Sequence, residues 1–186
     1  MSDPRLTRLA DILVNYSARV RKNDLVKIMG SAVTEPLLVE IFKAVLHAGG
    51  QPYLTMNSDE ATEAFLKLAG NSQLDYANPV LQHEMETIDC LITTWGESNT
   101  RALSNVDPAK AARANLGRRK RSMTFMSRMA IPEGKKGRLR WIGTQYPTAS
   151  AAQDAEMSLA EFEGFVFGAG LLHAKDPSAA WKAVSA

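Results

Sequence analysis

The stretch from Leu25 to Met56 admits few folds. Leu25-Val26-Lys27-Ile28-Met29 is short, β-rich and closed by Gly30, the pattern of a strand covered on both faces. Glu35 to Ala48 then places Leu37, Leu38, Ile41, Phe42, Val45 and Leu46 at helical spacing, and Gly49-Gly50 ends that helix by allowing a left-handed residue without steric cost. Pro52 to Met56 reads as a second strand. A strand, a helix and a strand within about 30 residues form a βαβ unit. Its strands are parallel and its crossover right-handed, so the chain is α/β.

The rest of the chain extends this unit. Asp3 caps and Pro4 opens a first helix whose Leu6, Leu9, Ala10, Leu13 and Val14 share one face. Helical segments at Ser58 to Leu68, Ser72 to Tyr76 and Pro79 to Glu86 lead to a third strand, Ile88 to Thr94. Asp107-Pro108 opens one long helix to about Met129, and Leu139 to Thr144 is the fourth strand. Thr148 caps a short helix through Asp154. Ser158 and Glu161 form a capping box that starts a helix from Leu159 to Leu172, and Asp176-Pro177 starts a last helix containing Trp181. We expect one domain, residues 1–186. Its sheet should be open and mainly parallel, of about four to five strands in the order two, one, three, four, with helices on both faces in a Rossmann-like three-layer arrangement. Ligands of such sheets gather where the order reverses. Here that point is flanked by Gly30-Ser31 and by Gly96 to Asn99.

With 45% hydrophobic and 23% charged residues, the 186-residue chain has the composition of a globular protein with a real core. No apolar run approaches the roughly 20 residues of a membrane helix, and the charged, amphipathic start does not read as a signal peptide. A cytoplasmic location is expected. The lone cysteine, Cys90, lies in an apolar strand and reads as a buried structural thiol. Net charge is only +2, yet residues 101–140 hold 12 of the 22 Lys and Arg against Asp107 and Glu133. That block is +10, which leaves −8 for the remainder, and segregation of this kind marks an interaction face or a face paired within the chain.

The chemistry-bearing motifs are few. His47, His83 and His173 fall on separate predicted helices, and only His83 with Glu86 has a metal-ligand spacing. No G-x-S-x-G elbow, dinucleotide fingerprint or phosphate loop is present. Gly117-Arg118-Arg119-Lys120-Arg121, with Arg113 and Arg128, offers phosphate contacts to nucleic acid. Sparse aromatic residues weigh against that reading, and Met123, Met126 and Met129 suggest core packing on the opposite face. Gly164, Gly168 and Gly170 in the late helix suggest a close neighbour. The polar loops that leave the third and fourth strands supply the candidate site residues: Glu97, Asn99 and Arg101, and Gln145 and Tyr146.

Five segments then resemble, in order, the first half of the thermophilic metallo-aminopeptidase family, of the aminopeptidase S and aminopeptidase T type. They are D-P-R-L-T-R-L-A-D-I-L-V-N-Y-S from Asp3, A-G-G-Q-P from Ala48, E-S-N-T-R-A-L-S-N-V-D-P from Glu97, W-I-G-T-Q-Y-P-T from Trp141 and M-S-L-A-E-F-E-G-F-V-F from Met157. The resemblance implies a cytosolic homodimer that removes N-terminal residues from peptides. It also implies two divalent metals, zinc or cobalt, that activate a water. In that family the metal ligands and catalytic tyrosine belong to a second domain, which would begin beyond Ala186. The present chain would then be the N-terminal domain, lacking the C-terminal metal-binding domain and inactive alone. Glu97, Asn99, Arg101, Gln145 and Tyr146 would face the missing domain or the substrate cavity. Two rivals stand beside this: a free-standing α/β binding or interaction module, and nucleic-acid binding through the basic helix.

Overall fold

The computed structural model describes residues 3–184. The Asp3 carboxylate accepts from the Arg5 amide at 2.9 Å and Pro4 begins α1 (Pro4–Asp11). The helix widens into a π-helical stretch, Ile12–Ser17, where the consecutive residues Ile12, Leu13 and Val14 are all buried. β1 (Leu25–Ser31), a 3-10 turn (Ala32–Thr34), α2 (Glu35–His47) and β2 (Gln51–Asn57) form the βαβ unit read from sequence, with Gly49 at φ +81° after α2. Then come α3 (Asp59–Leu68), α4 (Asn71–Leu74), α5 (Pro79–Thr87) and β3 (Cys90–Trp95). The chain continues with α6 (Pro108–Gly117), α7 (Arg119–Met129), β4 (Arg140–Gln145), α8 (Ala149–Asp154), α9 (Leu159–Ala169) and α10 (Pro177–Val184).

The sheet has four strands in the order β2-β1-β3-β4, the order expected from the connection rules. β1 runs parallel to both neighbours, with Val26 opposite Pro52 and Cys90, and Ile28 opposite Leu54 and Ile92. The Arg140 amide donates to the Asp89 carbonyl at 3.1 Å and the Tyr146 amide to the Trp95 carbonyl at 2.6 Å. Those bonds advance by the same interval along both strands, so β4 is parallel to β3.

The described residues divide into two compact units. One runs to Asn57 and adds Cys90–Thr100 and the chain from Trp141 onward; the other comprises Ser58–Asp89 and Arg101–Arg140. In the first unit Val26, Ile28, Cys90 and Ile92 on one sheet face pack with Leu6, Leu9, Leu13 and Val14 and with Leu37, Leu38, Ile41 and Val45 of α2. Phe167 and Leu172 complete this core. Each such side chain contributes about 1.5–3 kcal/mol on burial. The second unit has its own small core of Leu66, Ala69, Leu74 and Ala114, with Val106 packed against it.

Three sequence expectations need correction. The long helix from Pro108 is broken at Arg118 into α6 and α7. Just before the break, Gly117 approaches another segment closely: a Cβ there would overlap the Leu74 carbonyl oxygen and lie 3.2 Å from the Asp75 carbonyl carbon. The methionine stripe does not enter a core: α7 has no buried residue, and Met123 and Met126 are 60% and 56% exposed. Finally α9 stops at Ala169, because Leu171 adopts φ +56°, so His173 lies in the turn after the helix. Among the described residues, a Cβ on Gly164 would meet nothing within 4 Å, so none of them explains that glycine.

Candidate functional site

Hydroxyl groups from three strand ends converge where the sheet reverses between β1 and β3. Thr94 Oγ1 donates to Thr34 Oγ1 at 2.8 Å, and Thr34 Oγ1 donates on to the Ser31 carbonyl at 2.9 Å. The Ser31 hydroxyl in turn donates to the Gly96 carbonyl. From the far side, Ser150 Oγ donates to the Glu97 carbonyl at 2.5 Å and lies 3.1 Å from Thr148 Oγ1. Thr148 also caps α8, accepting from the Ala151 amide at 3.2 Å. Thr34, Thr94 and Thr148 are all buried, so satisfied hydrogen bonds are a condition of their being there at all.

This network closes the point where the sequence alone suggests a ligand crevice. A Cβ on Gly96 would stand 2.8 Å from Thr34 Cγ2 and 3.1 Å from Thr148 Cγ2, and one on Gly30 would overlap the hydroxyls of Thr94 and Thr34. Sequence reasoning missed Ser31, Thr34, Thr94, Thr148 and Ser150 as a group. The signal was available: small hydroxyl residues recur just where each strand ends.

The five candidates do not form one cluster. Glu97 and Asn99 are exposed on the loop after β3, and Arg101, also exposed, opens the second segment of the second unit. Gln145 and Tyr146 are adjacent and half-buried at the end of β4, with Gln145 Nε2 donating to the Tyr146 carbonyl at 3.2 Å. Even so they line different cavities. Gln145 lines an apolar one of about 590 Å³ with Trp95, Phe162 and Phe165, whereas Tyr146 lines one of about 530 Å³ with Asp3, Glu35, Glu40, Lys43 and Glu163.

The Tyr146 cavity is rich in carboxylates, but most are already committed. Arg5 reaches Asp3 Oδ2 at 2.6 Å and Glu163 Oε2 at 2.7 Å, while its guanidinium carbon sits 4.5 Å over the Phe167 ring. Lys43 Nζ meets Glu40 Oε1 at 2.8 Å, and Thr7 Oγ1 donates to Glu40 Oε2 at 3.2 Å. Burial first, then the negative charges of Glu163 and Asp3, pushes the Tyr146 phenol above its usual range, so it stays protonated as a donor.

Arg5 also sets a pH dependence. Its side-chain hydrogen bond, partly opposed by burial, holds the Asp3 carboxyl below the ordinary aspartate range. A lowered folded value means the stabilisation is complete above the ordinary range and is lost as pH falls toward the folded one. The pair is about one-third exposed, so the effect stays under about 1 kcal/mol. Acid denaturation of Asp3→Asn is therefore expected to show a shallower loss of stability between about pH 4 and pH 2 than the parent. Superimposable acid limbs would count against Arg5 as the cause.

Metal-binding chemistry requires converging donors, and among the described residues no group of three or more His, Cys, Asp or Glu could hold an ion. Two carboxylates of the most acidic cavity, Asp3 and Glu163, are already paired with Arg5, and a third, Glu40, with Lys43. The residues present do not fit a metal centre.

The profile of the family described as thermophilic metalloprotease (M29) matches residues 2–186. The chain belongs to that family. No curated protein sequence matches it. Among solved structures it is similar to wild-type AmpT from Thermus thermophilus, with a TM-score of 0.74 at 16% identity, over 97% of this chain and 45% of that one. At that identity the likeness establishes the α/β fold and nothing finer. The chain thus spans just under half the length of the solved structure it resembles. None of its helices is long and apolar enough to cross a membrane among the described residues.

Proposed function

We propose that these 186 residues are the N-terminal α/β part of a two-domain dimetal aminopeptidase, which removes N-terminal residues from peptides, and that the metal ligands lie beyond Ala186. One observation carries this reading: in a chain of a metalloprotease family, the described residues include no converging set of three or more metal donors. The coverage of 45% of the similar solved structure supports it, since it leaves room for a second domain in such a polypeptide.

In this reading the chain supplies scaffold and a cavity wall. Glu97, Asn99 and Arg101, with Gln145 and Tyr146, face the second domain or the peptide. The complete enzyme works as a cytosolic homodimer with zinc or cobalt.

The test is to assay the 186-residue protein on an aminoacyl-nitroanilide with added zinc or cobalt, and to measure metal content after dialysis. We expect no release of nitroaniline and no stoichiometric metal. Turnover, or two tightly held ions per chain, overturns the assignment of the ligands to another domain.

A further inference from the structure

A third cavity, of about 460 Å³, lies wholly within the second unit. That volume falls in the range of small-molecule sites, roughly 300–1,000 Å³. Its lining has an apolar part, with Phe65 of α3, Tyr76 of the α4–α5 connection and Leu81 of α5, and a cationic part, with Arg118, Lys120 and Arg121 at the α6–α7 break.

The cations are poorly compensated. Among the described residues no ion pair engages Arg118, Lys120 or Arg121, whereas Arg113 on α6 is held bidentately by Asp75 at 2.7 and 2.6 Å. The one acidic side chain on the cavity wall, Glu86, already accepts from Gln82 at 2.6 Å. Burial first and the neighbouring Arg118 second hold the half-buried Arg121 guanidinium below the usual arginine range, with Glu84 pulling the other way. Like charges gathered at the edge of an apolar pocket destabilise the fold unless an anion joins them.

Gly117, which forms part of the cavity wall, approaches the backbone of Leu74 and Asp75 closely, and Arg118, Lys120 and Arg121, which follow it, all border the same space. With Glu86 committed to Gln82 and Glu84 acting on Arg121, the three cations still leave a net positive charge, which suits an anionic head. Guanidinium forks and an ammonium together suit phosphate oxygens. The aromatic side chains suit a flat body.

We propose that this cavity binds a small phosphorylated compound with a flat apolar body, its phosphate against Arg118, Lys120 and Arg121 and its body between Phe65, Tyr76 and Leu81. The site is independent of the peptidase reading, since it needs neither a metal nor a second domain.

The test is calorimetric titration of the 186-residue protein with phenyl phosphate, inorganic phosphate and benzoate. Phenyl phosphate is expected to bind about tenfold more tightly than either of the others, because it alone engages both parts of the lining. Arg121→Gln and the exposed Lys120→Gln should each weaken it by about tenfold. Arg119→Gln, exposed and off the cavity wall, should change it by less than about twofold. Absence of phenyl phosphate binding at millimolar concentration overturns the proposal. So does an equal loss in Arg119→Gln, which would reduce the effect to diffuse charge. A single-stranded oligonucleotide that binds more tightly than phenyl phosphate also overturns it, in favour of a nucleic-acid surface.

Discussion

Replacing Gly30 by alanine is expected to destabilise the protein by about 3 kcal/mol in urea denaturation. Alanine normally gains roughly 0.5–1 kcal/mol over glycine inside a strand. Here the added methyl would occupy the space of Thr94 Oγ1 and Thr34 Oγ1 and come within 3.0 Å of Leu38 Cδ2. Neither hydroxyl can rotate away without ending the buried Thr94–Thr34 hydrogen bond, and an unpaired buried hydroxyl costs about 1–3 kcal/mol. Overpacking against fully buried Leu38 adds about 1–3 kcal/mol more. The losses outweigh the gain. A variant within about 0.5 kcal/mol of the parent would show that the hydroxyl network yields easily, and would reopen the β1–β3 end of the sheet as space for a ligand.

The second large effect is expected at Gly117→Ala. An exposed helical glycine changed to alanine gains about 1 kcal/mol. The atoms in the way at Gly117, however, are the Leu74 carbonyl oxygen and the Asp75 backbone at 3.2 and 3.3 Å, none of which can move by a rotamer change. We expect a net loss of about 2 kcal/mol, carried by the second unit, whose core includes Leu74 and Ala114. Amide hydrogen exchange should locate the loss in α4 and α6. Protection there equal to that of the parent would mean that the two segments separate without penalty.

The fold was legible wherever local signals agreed. The strand, Gly-terminated helix and strand from Leu25 to Met56 fixed a parallel pair. Ser158 with Glu161, Thr148, and each Asp-Pro step marked helix starts that the structure reproduces, because capping is chemistry between residues three or fewer apart. The close approach at Gly117, beside the break at Arg118, was hidden because the backbone it meets, at Leu74 and Asp75, lies far away in sequence. The methionines of α7 misled for a related reason: periodicity states that a stripe exists but not whether anything covers it.

The candidate site was legible only as a region. Position at strand ends drew attention to Glu97 and Tyr146, but nothing local tells Gln145 and Tyr146 apart, and their neighbours come from different helices. The commitment of Asp3 and Glu163 to Arg5 joins residues separated by most of the chain, beyond the reach of any spacing rule.

That last pairing constrains how the molecule is made. Leu6 and Leu9 wait for Phe167 and Leu172 to complete their packing, Arg5 waits for Glu163, and β3 lacks one neighbour until Gln145 has been added. A nascent chain leaving the ribosome therefore carries an unfinished apolar helix and an open strand edge through most of the synthesis of these residues. That long interval is where chaperone capture or premature association would act.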